Sequence, residues 1–149
     1  MLERPICTLP HAALTDTILK AFFEVAGELG YGFSEKVCVR ALAIALADAG
    51  LEPATGVPLF VPYRGQIIGD FYADVVVNGT ILLEVKATVQ IEDYARAQIL
   101  NYLRCAGGGV GLLLNFGKRA EFKRFVVGDP HNSLPHLSRV TYPGSAALP

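Results

Sequence analysis

The sequence predicts an α/β protein, a mixed sheet flanked by helices, with elements in the order α-α-β-β-β-α-β-β. Three observations carry this. Two stretches with apolar residues at helical spacing open the chain. Three extended runs separated by tight-turn signals follow. Then an apolar strand, a helix and a second apolar strand come in direct succession, which is the pattern of a parallel crossover.

Each element has a local cause. Leu14, Ile18, Phe22, Val25 and Leu29 recur every three to four residues, one face of an amphipathic helix over 15–29, stopped by Gly30-Tyr31-Gly32. Ser34 is a capping residue for a second helix running to Ala49 and ending at Gly50. Its alanines suit close packing on a sheet. A strand over 57–63 carries Pro58 and Pro62, which places it at an edge. Arg64-Gly65 turns the chain into a second strand over 66–77, and Asn78-Gly79 is a strong hairpin signal before a third over 80–88. In that third strand Ile81, Leu82, Leu83 and Val85 point to both sides, so it is central and covered on both faces. A helix over 92–105, a buried strand over 110–115 (VGLLLN) and a last strand over 121–127 complete the order.

With 149 residues, 52% of them hydrophobic, one domain with a real core is expected over 15–127, with a lead-in at 1–14 and an extended tail at 128–149. No apolar run is long enough to span a bilayer. The opening MLERPICTLP lacks the basic end and apolar core of a signal peptide, so a cytoplasmic location is expected. Cys7, Cys38 and Cys105 form neither a disulfide framework nor a zinc motif. A net charge of −1 gives no bulk attraction to nucleic acid, so such a partner requires a local basic patch. The chain has no P-loop, GxGxxG or GxSxG.

The chemistry concentrates around the hairpin. Glu84 and Lys86 are two apart in an apolar strand and share a face. A two-residue turn at Asn78-Gly79 sets Asp74 opposite Leu83, one residue from Glu84. A bulge or splayed strand end would bring the two carboxylates together. Converging carboxylates repel unless a cation lies between them, and an oxygen-only set suits Mg²⁺ or Mn²⁺. Such an ion activates water for phosphodiester hydrolysis, with Lys86 positioned to hold that water or a phosphoryl oxygen. The competing explanation is an ion pair of Lys86 with Glu84 or Asp74 on a partly wet sheet end.

These residues match a known pattern. Asp74, then Glu84-Val85-Lys86 in a hydrophobic strand, resembles the D…(D/E)xK signature of the PD-(D/E)XK nuclease superfamily, whose restriction-endonuclease-like core has the order αβββαβ. More closely, the chain resembles the small prokaryotic GxxExxY proteins. The matching segments are Gly30–Glu35, Tyr72–Val77, Leu83–Ala87, Gln98–Leu103 and Gly111–Gly117, within 15–127. Two positions depart: the tyrosine of the name motif is Cys38, and a histidine often found three residues before the helix glutamine is Ala95.

The resemblance implies a Mg²⁺-dependent nuclease. Its metal ligands would be Asp74 and Glu84, joined by Glu35 from a helix. Lys86 would be catalytic, and Gln98 and Tyr102, one helical turn apart, would border the site. DNA is the implied substrate and a homodimer the implied assembly. The rival is a catalytically silent nuclease-fold protein that binds nucleic acid or a protein partner. Asp70 is a second-tier acid. Arg64, Arg96, Arg104 and the Lys118, Arg119, Lys123, Arg124 cluster are candidate phosphate contacts, the cluster being equally suited to guarding an edge strand.

Overall fold

A computed structural model describes residues 9–131 and 134. Helix α1 (Ala12–Leu29) starts three residues ahead of the expected boundary, after His11 at a left-handed φ of 60°. Its Ile18, Phe22 and Val25 are buried, as the spacing requires. Helix α2 (Glu35–Asp48) begins on the expected cap, with Ser34 Oγ accepting the Val37 N–H at 3.3 Å. That bond satisfies one of the N–H groups a helix start leaves open.

The strands are β1 (Pro53–Tyr63), β2 (Gln66–Val77), β3 (Ile81–Lys86), β4 (Gly109–Phe116) and β5 (Ala120–Val127), with helix α3 (Asp93–Cys105) between β3 and β4. They form one sheet in the order β1-β2-β3-β4-β5. Only β3 and β4 are parallel, from Ile81↔Val110 to Lys86↔Asn115; the other pairs are antiparallel. The sheet is therefore mixed, with the crossover and the central β3 where the apolar runs put them. The proline-bearing β1 is an edge, and β5, with Lys123 and Arg124, is the other.

Burial follows strand alternation. Val75, Val77, Leu83, Val85, Leu112, Leu114 and Phe116 meet Ile18, Phe22, Leu42 and Leu46 of α1 and α2. Val76, Leu82 and Leu113 meet Ile99 and Leu103 of α3 on the opposite face. Leu134 is buried in this second layer, and its N–H donates to the Gly79 carbonyl at 2.7 Å. The expected tail is thus held at that point; residues 1–8, 132–133 and 135–149 lie outside the described part.

The hairpin corrects one expectation. Its turn has positive φ at Asn78 (54°) and Gly79 (59°), and the Thr80 N–H donates to the Val77 carbonyl at 2.9 Å. The ladder, however, pairs Val77 with Ile81, leaving Thr80 as an extra residue in the turn. The register shifts by one from that of a two-residue turn, and this decides the geometry of the site. Asn78 also grips the chain before β1, its Oδ1 accepting the Glu52 N–H at 2.7 Å.

Beyond Lys86 the chain is held by Asn115. Its Oδ1 accepts the Thr88 N–H at 2.9 Å and its Nδ2 donates to the Thr88 carbonyl at 3.0 Å. A buried asparagine thus continues the β3–β4 ladder past its end. Gly117 sits against the same carbonyl, and a Cβ there would collide with the Thr88 oxygen. We expect Gly117→Ala to lose about 1–3 kcal/mol of stability through this overpacking, read by urea unfolding. An unchanged midpoint would show that the Thr88 segment can yield.

Candidate active site

The site lies where β2 and β3 part. Their ladder ends at Val75↔Leu83, and one further step of that register would pair Asp74 with Glu84. Side chains take over there. The Val85 N–H donates to Asp74 Oδ2 at 2.7 Å, and the Asp74 N–H to Glu84 Oε1 at a long 3.4 Å. Each carboxylate is therefore anchored to the other's strand, which fixes both side chains at the divergence.

The β1 side is irregular at the same level. The β1–β2 register runs from Pro53↔Val77 to Val61↔Gly69, and the step missing from it is Gly56 with Asp74. Gly56 has φ 60°, a conformation that L side chains rarely adopt. Ala73 and Val75, two apart, pack in opposite layers, so alternation breaks across Asp74. The splayed end anticipated as one route to converging carboxylates is what the fold contains.

Burial makes this arrangement electrostatically costly. Glu84 is only 4% exposed. Its pKa is pushed up to about 8, first by burial and then by the negative charge of Asp74, with Glu35 adding to the rise. The Asp74 N–H and the Lys86 ammonium oppose the shift. Asp74 is raised as well, by burial and by Glu35, against the Val85 N–H and Lys86. Glu35, in the first turn of α2, lines the same cavity as Asp74 and acts electrostatically on both acids.

Helix α3 closes the other side. Lys86 Nζ donates to Gln98 Oε1 at 2.9 Å. Burial, then the charge of Glu84, pushes the Tyr102 hydroxyl up to about 12, opposed by its hydrogen bond with Gln98. The Tyr102 ring stacks on Phe71 at 3.8 Å between centroids. Glu84, Lys86, Gln98 and Tyr102 thus form one connected group, with Asp74 beside Glu84 and Glu35 reaching the group through its field.

Among the described residues no three His, Cys, Asp or Glu side chains form a ready cation cluster. The donor chemistry nonetheless fits a divalent ion. Two adjacent carboxylates, both with raised pKa, would each be relieved by a positive charge, and oxygen donors suit Mg²⁺ or Mn²⁺.

The other candidates fall elsewhere. Asp70 pairs opposite Phe60 in the exposed part of β2. Arg124 donates to the Pro10 carbonyl at 3.2 Å, Arg104 to Asn101 at 3.0 Å, and Arg64 lies over the Tyr63 ring at 5.2 Å. These three are engaged within the fold. Cys38, where the name motif has tyrosine, is buried in the α1–α2 layer, and Ala95 is buried on the inner face of α3. Phe71 supports the site without belonging to any motif read from the sequence, and Asn115, although inside the Gly111–Gly117 segment, had no role assigned from it. The polar end of an otherwise apolar strand was the available signal for Asn115; nothing local marks Phe71.

A mixed sheet between helices, with an acid and a lysine on its central strand beside an acid from the next, defines the restriction-endonuclease-like class of α/β folds. A family profile described as the PD-(D/E)XK nuclease superfamily matches residues 12–125, and the chain belongs to that superfamily. Its members are generally nucleases. Comparison with curated proteins and with solved structures returns no match.

The raised Glu84 sets a pH dependence. Folding favours its protonated form, so the folded state binds more protons than the unfolded one between the ordinary pKa of 4.5 and about 8. Stability is then fullest below that window and falls as pH rises through it. We expect metal-free protein to lose stability between pH 5 and 8, and Glu84→Gln to flatten the profile. Thermal unfolding across that range in EDTA checks this; matching slopes for the two proteins would refute it.

Proposed function

We infer that the protein is a Mg²⁺- or Mn²⁺-dependent nuclease that hydrolyses phosphodiester bonds, with DNA as its substrate. One observation carries this: two carboxylates brought together from adjacent strands, the buried Glu84 raised to about 8 beside the half-buried Asp74, next to a lysine held by a glutamine. Superfamily membership supports it.

Asp74 and Glu84 would hold the ion, with Glu35 completing the set from α2. When bound, the ion supplies water of lowered pKa and neutralises charge on the phosphoryl oxygens. Lys86 donates a hydrogen bond to the attacking water or to a phosphoryl oxygen, favouring the pentavalent arrangement as the water oxygen bonds to phosphorus and the leaving P–O bond breaks. Gln98 fixes the direction of the Lys86 ammonium. Tyr102, braced by Phe71, screens the group from solvent on the α3 side.

The five segments resembling GxxExxY proteins support placement among them. The domain at 15–127, a homodimer and a cytoplasmic location complete the proposal. The balanced net charge of −1, and Cys38 where the motif has tyrosine, favour a second reading, a nuclease-fold binder that does not cut.

The test is cleavage of plasmid, linear duplex, single-stranded DNA and RNA with Mg²⁺, Mn²⁺ or EDTA. We expect cutting that needs metal. Asp74→Ala and Lys86→Ala should each lower the rate by about 10²-fold or more, and Mn²⁺ should raise the melting temperature of the wild type but not of Asp74→Ala. Wild-type protein that neither cuts nor binds Mn²⁺ would leave the binder reading in its place.

A further inference from the structure

The cavity that Glu35 shares with Asp74 extends well past the two acids. It is a groove of about 720 Å³ between α2 and the β1–β2 pair. Its acidic end is Glu35 and Asp74; along α2 it is lined by Lys36 and Arg40, and along β2 by Tyr72. Lys36 and Arg40 are one helical turn apart and share a face of α2. Tyr72 is 61% exposed, a large aromatic side chain the core does not use. Thr55 and Gly56 line the β1 side, where a Cβ on Gly56 would meet nothing within 4 Å, so the wall there is open.

Two cations beside an exposed aromatic ring, continuous with an acidic end, match a particular ligand. Lys36 and Arg40 complement phosphate; the Tyr72 ring complements the flat face of a base. In a duplex, base faces are stacked and paired and cannot lie on a protein ring, whereas in a single strand they are free to do so. A space of this volume between a helix and a sheet is of the size that holds a small ligand or a strand segment.

We propose that this groove binds a single-stranded nucleic-acid segment next to the bond to be cut, with Lys36 and Arg40 on its phosphates and Tyr72 stacked on a base. The position of that segment relative to the cut rests on the nuclease reading; the binding itself does not. The substrate class is thereby narrowed to single strands or to frayed and unpaired ends. The acidic end also orients the strand, since phosphates gain at Lys36 and Arg40 and are repelled by Glu35 and Asp74 until a cation lies between those acids.

The test is fluorescence anisotropy with a labelled oligothymidylate, an oligouridylate and a duplex of the same length, in EDTA so that metal-dependent cutting is off. Both single strands should bind more tightly than the duplex. Tyr72→Ala should weaken single-strand binding by about 5- to 150-fold, the range of one base–aromatic stack, and Tyr72→Phe should restore it. Replacing Lys36 and Arg40 together by Gln should lower the dependence of log K on log salt by about 0.7 for each phosphate no longer neutralised. Tyr72 is exposed, so unchanged melting temperatures keep these comparisons clean. Duplex binding as tight as single-strand binding, or Tyr72→Ala binding at wild-type affinity, overturns the proposal. If Tyr72-dependent binding persists while neither Mg²⁺ nor Mn²⁺ supports cutting of any substrate, the catalytic reading falls and the groove stands. If cutting occurs and single strands are cut equally fast by Tyr72→Ala, the groove falls and the nuclease stands.

Discussion

The structure depends on one constraint: two carboxylates sit where two strands can no longer pair. Asp74 and Glu84 each accept a hydrogen bond from the backbone of the opposite strand, one step past the last ladder pair. Those bonds close the sheet end, but they bring two acids together, one of them, Glu84, almost fully buried. Burial raises the pKa of both, with the charge of Asp74 adding to the rise at Glu84 and that of Glu35 adding to each. The fold thus gains a fixed geometry and accepts an electrostatic cost that a proton or a cation relieves.

The surrounding elements are arranged about that point. The α1–α2 layer and α3 cover the two faces of β3, so Leu83 and Val85 anchor one side in the α1–α2 layer while Glu84 and Lys86 face α3. Gln98 receives Lys86, and Tyr102 is braced by Phe71. Asn115 carries the ladder on to Thr88, which sets where the chain leaves β3 for α3. On the far side α2 brings Glu35 to the cavity of Asp74. One pattern of packing, chiefly Leu and Val alternation, therefore positions residues from three separate stretches of chain.

The basic residues divide in a way that bears on substrate recognition. The dense Lys118 to Arg124 cluster lies along the turn into β5 and on that edge strand, where charge also discourages edge-to-edge pairing. Arg124 is engaged with the chain before α1. Lys36 and Arg40, which no sequence cluster singles out, line the cavity beside Asp74. Density along the sequence is a poor guide to a binding surface when two cations one helical turn apart on α2 meet a tyrosine from β2.

By itself the sequence determined the element order, the helix cap at Ser34, the edge character of β1, the doubly buried β3 and β4, and the shared face of Glu84 and Lys86. All of these follow from local periodicity and turn chemistry, which act over a few residues. The identity of the acid pair was legible to within one residue of register. The last residue was not, because Asn78-Gly79 reads as a two-residue turn and only the finished hairpin shows Thr80 inserted into it. That extra residue moves Asp74 from opposite Leu83 to opposite Glu84. The tertiary structure alone decided the broken alternation at Asp74, the raised pKa of Glu84, the brace of Phe71 on Tyr102 and the groove joining Lys36, Arg40 and Tyr72. Each depends on burial, or on contacts between segments far apart in the chain, and neither is encoded in the local pattern of either segment.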